Sequence, residues 1–163
     1  MKNFKKINLY FLLISFLINI LYVAPSYSLS SQEDLFKNAL NLSSSGEFNL
    51  AFKQWNKYLE LFPDDAAALS NRGNIKLVMG DPEGAIDDQD KAIFADPDEV
   101  DPYINRGIAE ESLGLWLEAK KDYLYVISKD NDNSSALYNL ANVEGSLSDW
   151  QSARNLFSKA SEL

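Results

Sequence analysis

The sequence contains no cysteine. Disulfide frameworks, thiolate nucleophiles and cysteine metal cages are therefore excluded. It contains no histidine either, which removes the commonest general base and the commonest metal ligand. Cations are few: 15 lysines and arginines face 24 aspartates and glutamates, for a formal charge of −9 and a pI of about 4.5. Such a surface repels phosphate backbones and anionic headgroups, so no nucleic-acid partner is expected. Any catalysis would fall to carboxylates alone, and from the sequence no pair of them is expected where an apolar pocket would raise a pKa. A carboxylate-dependent enzyme is thus the weakest functional reading, and no cofactor or metal site is expected. What is present, 163 residues at 46% hydrophobic and 24% charged, is the composition of one globular domain.

The N-terminus differs from the rest. Lys2, Lys5 and Lys6 precede an apolar run from Ile7 to Val23, interrupted by Asn8, Ser15 and Asn19. Ala24-Pro25-Ser26-Tyr27-Ser28 follows, with Ser26 and Ser28 at the small-residue positions of a signal-peptidase site. Residues 1–28 therefore read as a signal peptide or as a membrane anchor. The small-residue exit favours cleavage. Loss of the three lysines would take the formal charge of the remainder, residues 29–163, from −9 to −12. Export to a periplasm, cell envelope or organelle lumen follows, with the membrane met only through this segment.

The remainder repeats. Ala51, Ala85, Ala119 and Ala153 are spaced by 34 residues, as are Ala39, Gly73, Gly107 and Ala141. Gly46, Gly80, Gly114 and Ser148 keep the same spacing, and so do Leu35, Leu69, Tyr103 and Leu137. The units are 32–65, 66–99, 100–133 and 134–163. Each reads as two helices joined by a glycine turn. Asp81-Pro82 supplies a cap with proline at the first helical position, while Pro63 and Pro97 stop second helices. The small residues have a packing reason: larger side chains would push paired helices beyond the usual separation of about 8–10 Å. Trp55, Tyr123 and Phe157 fill one layer, where unit two has Gln89 and a looser layer is expected.

Two charges travel together. Arg72 and Arg106 occur in units two and three, as do Asp88 and Asp122; units one and four have neither charge, with Asn38 and Gln54 in the first and Leu140 and Asn155 in the last. An ion pair bridging the two helices of a unit is the inference, in preference to arginines that bind an acidic ligand.

This pattern resembles the tetratricopeptide repeat, a 34-residue helix-turn-helix unit, over residues 32–163. The segments LFKNALNL, GEFNLAFKQWNKYLELFP, LSNRGNIKLVMGDPEGAIDDQDKAIFADP, YINRGIAEESLGLWLEAKKDYLYVISKDN and LYNLANVEGSLSDWQSARNLFSKA carry it. The resemblance implies an all-α superhelix, or solenoid, of about four units that binds a protein or extended peptide in a groove lined by the first helices. On that groove fall Asn71, Asn105 and Asn139 at one repeat position, with Asn74 and Asn142 beside them. An amide both donates and accepts, so such a ladder can pair with a peptide backbone. Phe36 and Tyr138 are expected to be the most exposed of the apolar residues between the amides.

The family's clamp for charged peptide tails is not carried over. Its positions here hold Phe36, Leu40, Asn71, Asp101 and Asn105, or, one unit on, Ser70, Asn74, Asn105, Ser135 and Asn139, without the required cations. Asp130-Asn131-Asp132-Asn133-Ser134 lacks the glycine and glutamate of a calcium loop. Near Leu163, Leu156, Phe157 and Ala160 are expected to form an open apolar end. A partner, a second copy of the chain or a further segment could cover it. The chain also resembles small exported tetratricopeptide proteins of photosynthetic organisms, which implies a thylakoid lumen or photosystem assembly as one setting. The expected function is a non-catalytic interaction scaffold outside the cytoplasm; the alternative is a self-associating or truncated module of a larger assembly.

Overall fold

The computed structural model describes residues 29–163, so the signal or anchor reading of residues 1–28 lies outside the described part. The chain divides into Met1–Asp34 and Leu35–Leu163, and the repeat core belongs to the second unit. Among the described residues there are eight helices and no strand. They are α1 (Leu29–Ser44), α2 (Phe48–Leu61), α3 (Ala66–Val78), α4 (Pro82–Ala95), α5 (Asp101–Ser112), α6 (Trp116–Lys129), α7 (Ser134–Ser146) and α8 (Trp150–Ser161). None is long and apolar enough to cross a membrane. From α3 onward each helix packs on the one before it, and α3, α5 and α7 also meet their neighbours two elements away.

Local chemistry fixes the ends. Asp65, Asp81, Asn133 and Asp149 cap α3, α4, α7 and α8, each accepting a backbone N–H three residues on. The turn after each first helix needs a left-handed residue. Gly46, Gly80 and Gly114 supply φ of +79°, +85° and +73°, and Ser148 takes the same place at +68°.

The repeated small residues lie in the helix seams. Ala39, Ala51, Ala119 and Ala141 are wholly buried, Ala85 and Ala153 nearly so, and Gly73 and Gly107 are buried as well. A Cβ on Gly107 would lie 2.6 Å from a ring carbon of Tyr123, so the close approach of α5 and α6 requires glycine there.

Two expectations are corrected. The layer at Gln89 is not loose. Gln89 is fully buried, and its Nε2 donates to the Ser70 carbonyl at 3.0 Å and to Asn74 Oδ1 at 3.2 Å. Gly73 makes room for it, since a Cβ there would come within 2.7 Å of that nitrogen. Phe36 is not among the most exposed apolar residues. It is half-buried and meets Trp55 and Tyr58 edge-on, at centroid separations of 5.0 and 5.4 Å. Such pairs contribute about 0.5–1.5 kcal/mol beyond their buried area. Trp55 and Tyr58 are large enough to reach back over α1 and draw Phe36 into the core.

Candidate functional site

The arginines anchor three helices rather than two. Arg72 Nε and Nη2 donate to Asp88 Oδ2 and Oδ1, both at 2.7 Å, and its Nη1 donates to Asn56 Oδ1 at 2.9 Å. Arg106 repeats the arrangement with Asp122 at 2.7 and 2.8 Å, and reaches Asp90 on the preceding second helix at 2.5 Å. Two-pronged pairing of this kind fixes geometry as well as charge. The hydrogen bonds that Arg106 donates to Asp122 raise its pKa above the ordinary value, against the opposing effect of burial. With their donors occupied inside the fold, these arginines hold the frame on which the groove is built. The third partners, Asn56 and Asp90, lie one unit upstream, each 16 residues before its arginine.

The first helices bring part of the amide set together. Asn71, Asn74 and Asn105 line one pocket of about 250 Å³ between α3 and α5, together with Ser70 and Pro102. Its rim carries Asp96, Glu99 and Asp101 and no lysine or arginine. Asn71 Nδ2 donates to its own helix at the Ala67 carbonyl (2.8 Å), and Asn105 Nδ2 donates across to Ser70 Oγ (3.1 Å). Asn74 Oδ1 is taken by Gln89. The side-chain oxygens of Asn71 and Asn105 accept no hydrogen bond from the described residues, and Asn74 Nδ2 donates none, so the pocket lining keeps two acceptors and a donor unused.

The other two amides stand elsewhere. Asn139 lines a cleft of about 940 Å³ with Ile104, Ile108, Tyr138 and Phe157. Asn142 borders a smaller pocket beside Trp150. Tyr138 is 53% exposed and meets Phe157 edge-on at 5.4 Å. Phe157 is 37% exposed, whereas Trp55, Gln89 and Tyr123 at the same repeat position are fully buried. Among the described residues, α3, α5 and α7 pack on the first three second helices, and no helix follows α8.

One buried group was not singled out from the sequence. Glu110 is buried and its Oε2 has no hydrogen-bond partner among the described residues. Burial, reinforced by the charge of Asp122, lifts its carboxyl to about 7. The repeat offered a signal: Lys76 occupies the same place in unit two and contacts Asp88 at 2.9 Å. Tyr123, buried beneath it, donates to Glu111 Oε1. These groups lie in a helix seam, and among the described residues no group of carboxylates is placed to hold a metal ion.

No protein-family model matches the chain. The TPR repeat-containing thioredoxin TDX of Arabidopsis thaliana is 34% identical over 91 residues, 56% of this chain and 24% of that protein. The chain spans about a quarter of the length of the first curated relatives it matches. Among solved structures, a crystal structure of MamA superposes with a TM-score of 0.75 at 23% identity, covering 88% of this chain and 82% of that one. The first TPR of Spaghetti (RPAP3), bound to the HSP90 peptide SRMEEVD, superposes with a TM-score of 0.71 at 21% identity, covering 77% of this chain and 99% of that one. Together they show the fold, a superhelix of tetratricopeptide repeats.

Proposed function

We propose that this tetratricopeptide-repeat fold serves as a non-catalytic scaffold that binds an extended peptide, and that the pocket between α3 and α5 is where the backbone is held. The observation that carries the reading is the grouping of Asn71, Asn105, Ser70 and Pro102 in one pocket. Two amide oxygens there can accept from a peptide backbone without reading its side chains. The RPAP3 domain, seen with a peptide, supports the general mode. The charge at the pocket argues for a different class of peptide. Asp96, Glu99 and Asp101 would repel an acidic tail, so a neutral or basic segment fits.

The test is capture of partners from host lysate by the purified chain, with identification by mass spectrometry. Asn71→Ala and Asn105→Ala together should remove a defined subset of captured proteins. An unchanged set overturns the groove reading. The export reading is checked separately by intact-mass measurement of the protein from its host. Cleavage after Ser28 gives a chain beginning at Leu29, while an anchor retains Met1.

Exposure of Tyr138 and Phe157 supports a second reading, association of copies through the α8 end. Sedimentation across a concentration series decides it. A monomer throughout overturns it, and dissociation by Phe157→Asp supports it.

A further inference from the structure

The seams between successive second helices share one plan, and one seam is left open. Between α4 and α6 the Pro97 carbonyl accepts from Tyr125 Oη at 2.9 Å and from Tyr103 Oη at 3.2 Å. The two rings stack with centroids 4.1 Å apart. Lys129 Nζ lies 3.2 Å from Asp98 and 5.5 Å from the Tyr125 ring centroid. Between α6 and α8 the equivalent carbonyl, that of Asn131, accepts from Lys159 Nζ at 2.6 Å, and the same ammonium lies 3.3 Å from Asp132. In both seams the loop carbonyl has a donor and the loop aspartate has a cation.

Between α2 and α4 the same loop is Pro63-Asp64. Leu69 stands where Tyr103 does, Lys91 where Tyr125 does, and Ala95 where Lys129 does. Lys91 pairs with Asp87 at 2.5 Å instead. Among the described residues, neither the Pro63 carbonyl nor the Asp64 carboxylate has a partner. What results is a cleft of about 1090 Å³ bordered by Leu59, Pro63, Leu69 and Phe94. Phe94 is 90% exposed, and at its repeat position the other units carry Glu60, Ser128 and Glu162. The charges around the cleft do not cancel. Arg72 is held by Asp88, Asp90 by Arg106 and Lys91 by Asp87, which leaves Glu60 and Asp64 uncompensated.

We propose that this cleft is a second docking site, on the face of the second helices, for a partner segment carrying an aromatic side chain beside a lysine or arginine. The molecule's own seams specify that chemistry. The ring packs against the exposed face of Phe94, over the buried Leu69, at the place where Tyr125 stacks on Tyr103 in the next seam. The cation meets Asp64 as Lys129 meets Asp98, and a donor reaches the Pro63 carbonyl. Covering exposed apolar surface drives the contact, while the acidic rim selects the basic partner. The site is separate from the amide pocket and does not depend on it.

The experiment titrates fluorescently labelled ten-residue peptides into the full chain and follows anisotropy. One peptide carries tyrosine and lysine with three residues between them, the spacing of Tyr125 and Lys129. A second has glutamate in place of the lysine, and a third has alanine in place of the tyrosine. The first should bind at least about tenfold more tightly than either control, and Asp64→Asn should remove about that factor. The double variant Lys91→Tyr with Ala95→Lys installs the filling seen in the next seam. It should abolish binding while its circular-dichroism melt stays at or above that of the parent. Asn71→Ala should leave binding unchanged. Equal binding of all three peptides, undiminished binding by the double variant, or loss of binding in Asn71→Ala would each overturn the proposal.

Discussion

Arg72 and Arg106 occupy the same repeat position, yet their loss should cost different amounts. Asp88 is fully buried and has two cations, Arg72 at 2.7 Å and Lys76 at 2.9 Å. Asp122 is 6% exposed and has Arg106 alone, with the buried Glu110 carboxyl nearby where unit two has Lys76. Breaking a buried pair by removing one partner costs about 3–5 kcal/mol, because the surviving charge is left uncompensated. Arg106→Leu should show that full cost. Arg72→Leu leaves Lys76 in place, so its cost should fall to about 1–2 kcal/mol, within the range of ordinary substitutions. The difference of about 2 kcal/mol corresponds to roughly 5–10 °C in melting midpoint for a domain of this size. The assay is thermal and urea unfolding followed by far-ultraviolet circular dichroism. Adding Glu110→Lys to Arg106→Leu rebuilds the unit-two arrangement and should recover a large part of the loss. Equal losses for the two arginines, or no recovery on adding Glu110→Lys, would refute the reasoning.

Three further outcomes follow from single positions. The Glu110 carboxyl is raised from 4.5 to about 7, so the folded state binds its proton more tightly than the unfolded state does; that contribution is present below about 4.5 and is lost as pH rises through about 7. Glu110→Gln should therefore be more stable than the parent by about 1–3 kcal/mol at mildly alkaline pH and indistinguishable from it at acid pH, as measured by melting across a pH series. Gly107→Ala drives a Cβ to 2.6 Å from the Tyr123 ring and should lower stability by about 1–3 kcal/mol in urea unfolding. Ser148 holds φ of +68° where three units have glycine, so Ser148→Gly should raise the melting midpoint, with a gain of about 1 kcal/mol from relief of the left-handed conformation.

The fold was legible because the repeat is its own alignment. Alanine or glycine recurring every 34 residues has a packing cause, and the turn glycines have a backbone cause, so each column carries its own physical warrant. The joint appearance of Arg72 with Asp88 and of Arg106 with Asp122 pointed to charges that stand 2.7 Å apart. Contacts reaching outside one unit were harder to read. Nothing in the local pattern says that Arg72 also binds Asn56, or that Trp55 and Tyr58 cover Phe36. Gln89 departs from the bulky column, yet it fills the layer because Gly73 leaves space and Ser70 and Asn74 offer acceptors. The amide ladder was legible as composition only. Its five asparagines are divided among three pockets.

That division suggests where individuality is written in a repeat protein. Residues that obey the repeat maintain the superhelix, and their cost of change is structural. Residues that depart from it without a compensating contact are free to serve a partner. Gln89 departs and is compensated by Gly73, so it belongs to the frame. Phe94 departs, is 90% exposed and borders a loop whose carbonyl and aspartate are satisfied in the two seams that follow but not in its own. Tyr138 and Phe157 keep the apolar character of the repeat, and among the described residues no helix follows α8 to cover them. Their exposure goes with their place at the last described helix, while Phe94 is exposed although described helices follow it. This distinction makes the α2–α4 cleft the stronger candidate for a built docking site, and it predicts that substitutions at Phe94 will alter binding while leaving the melting midpoint in place.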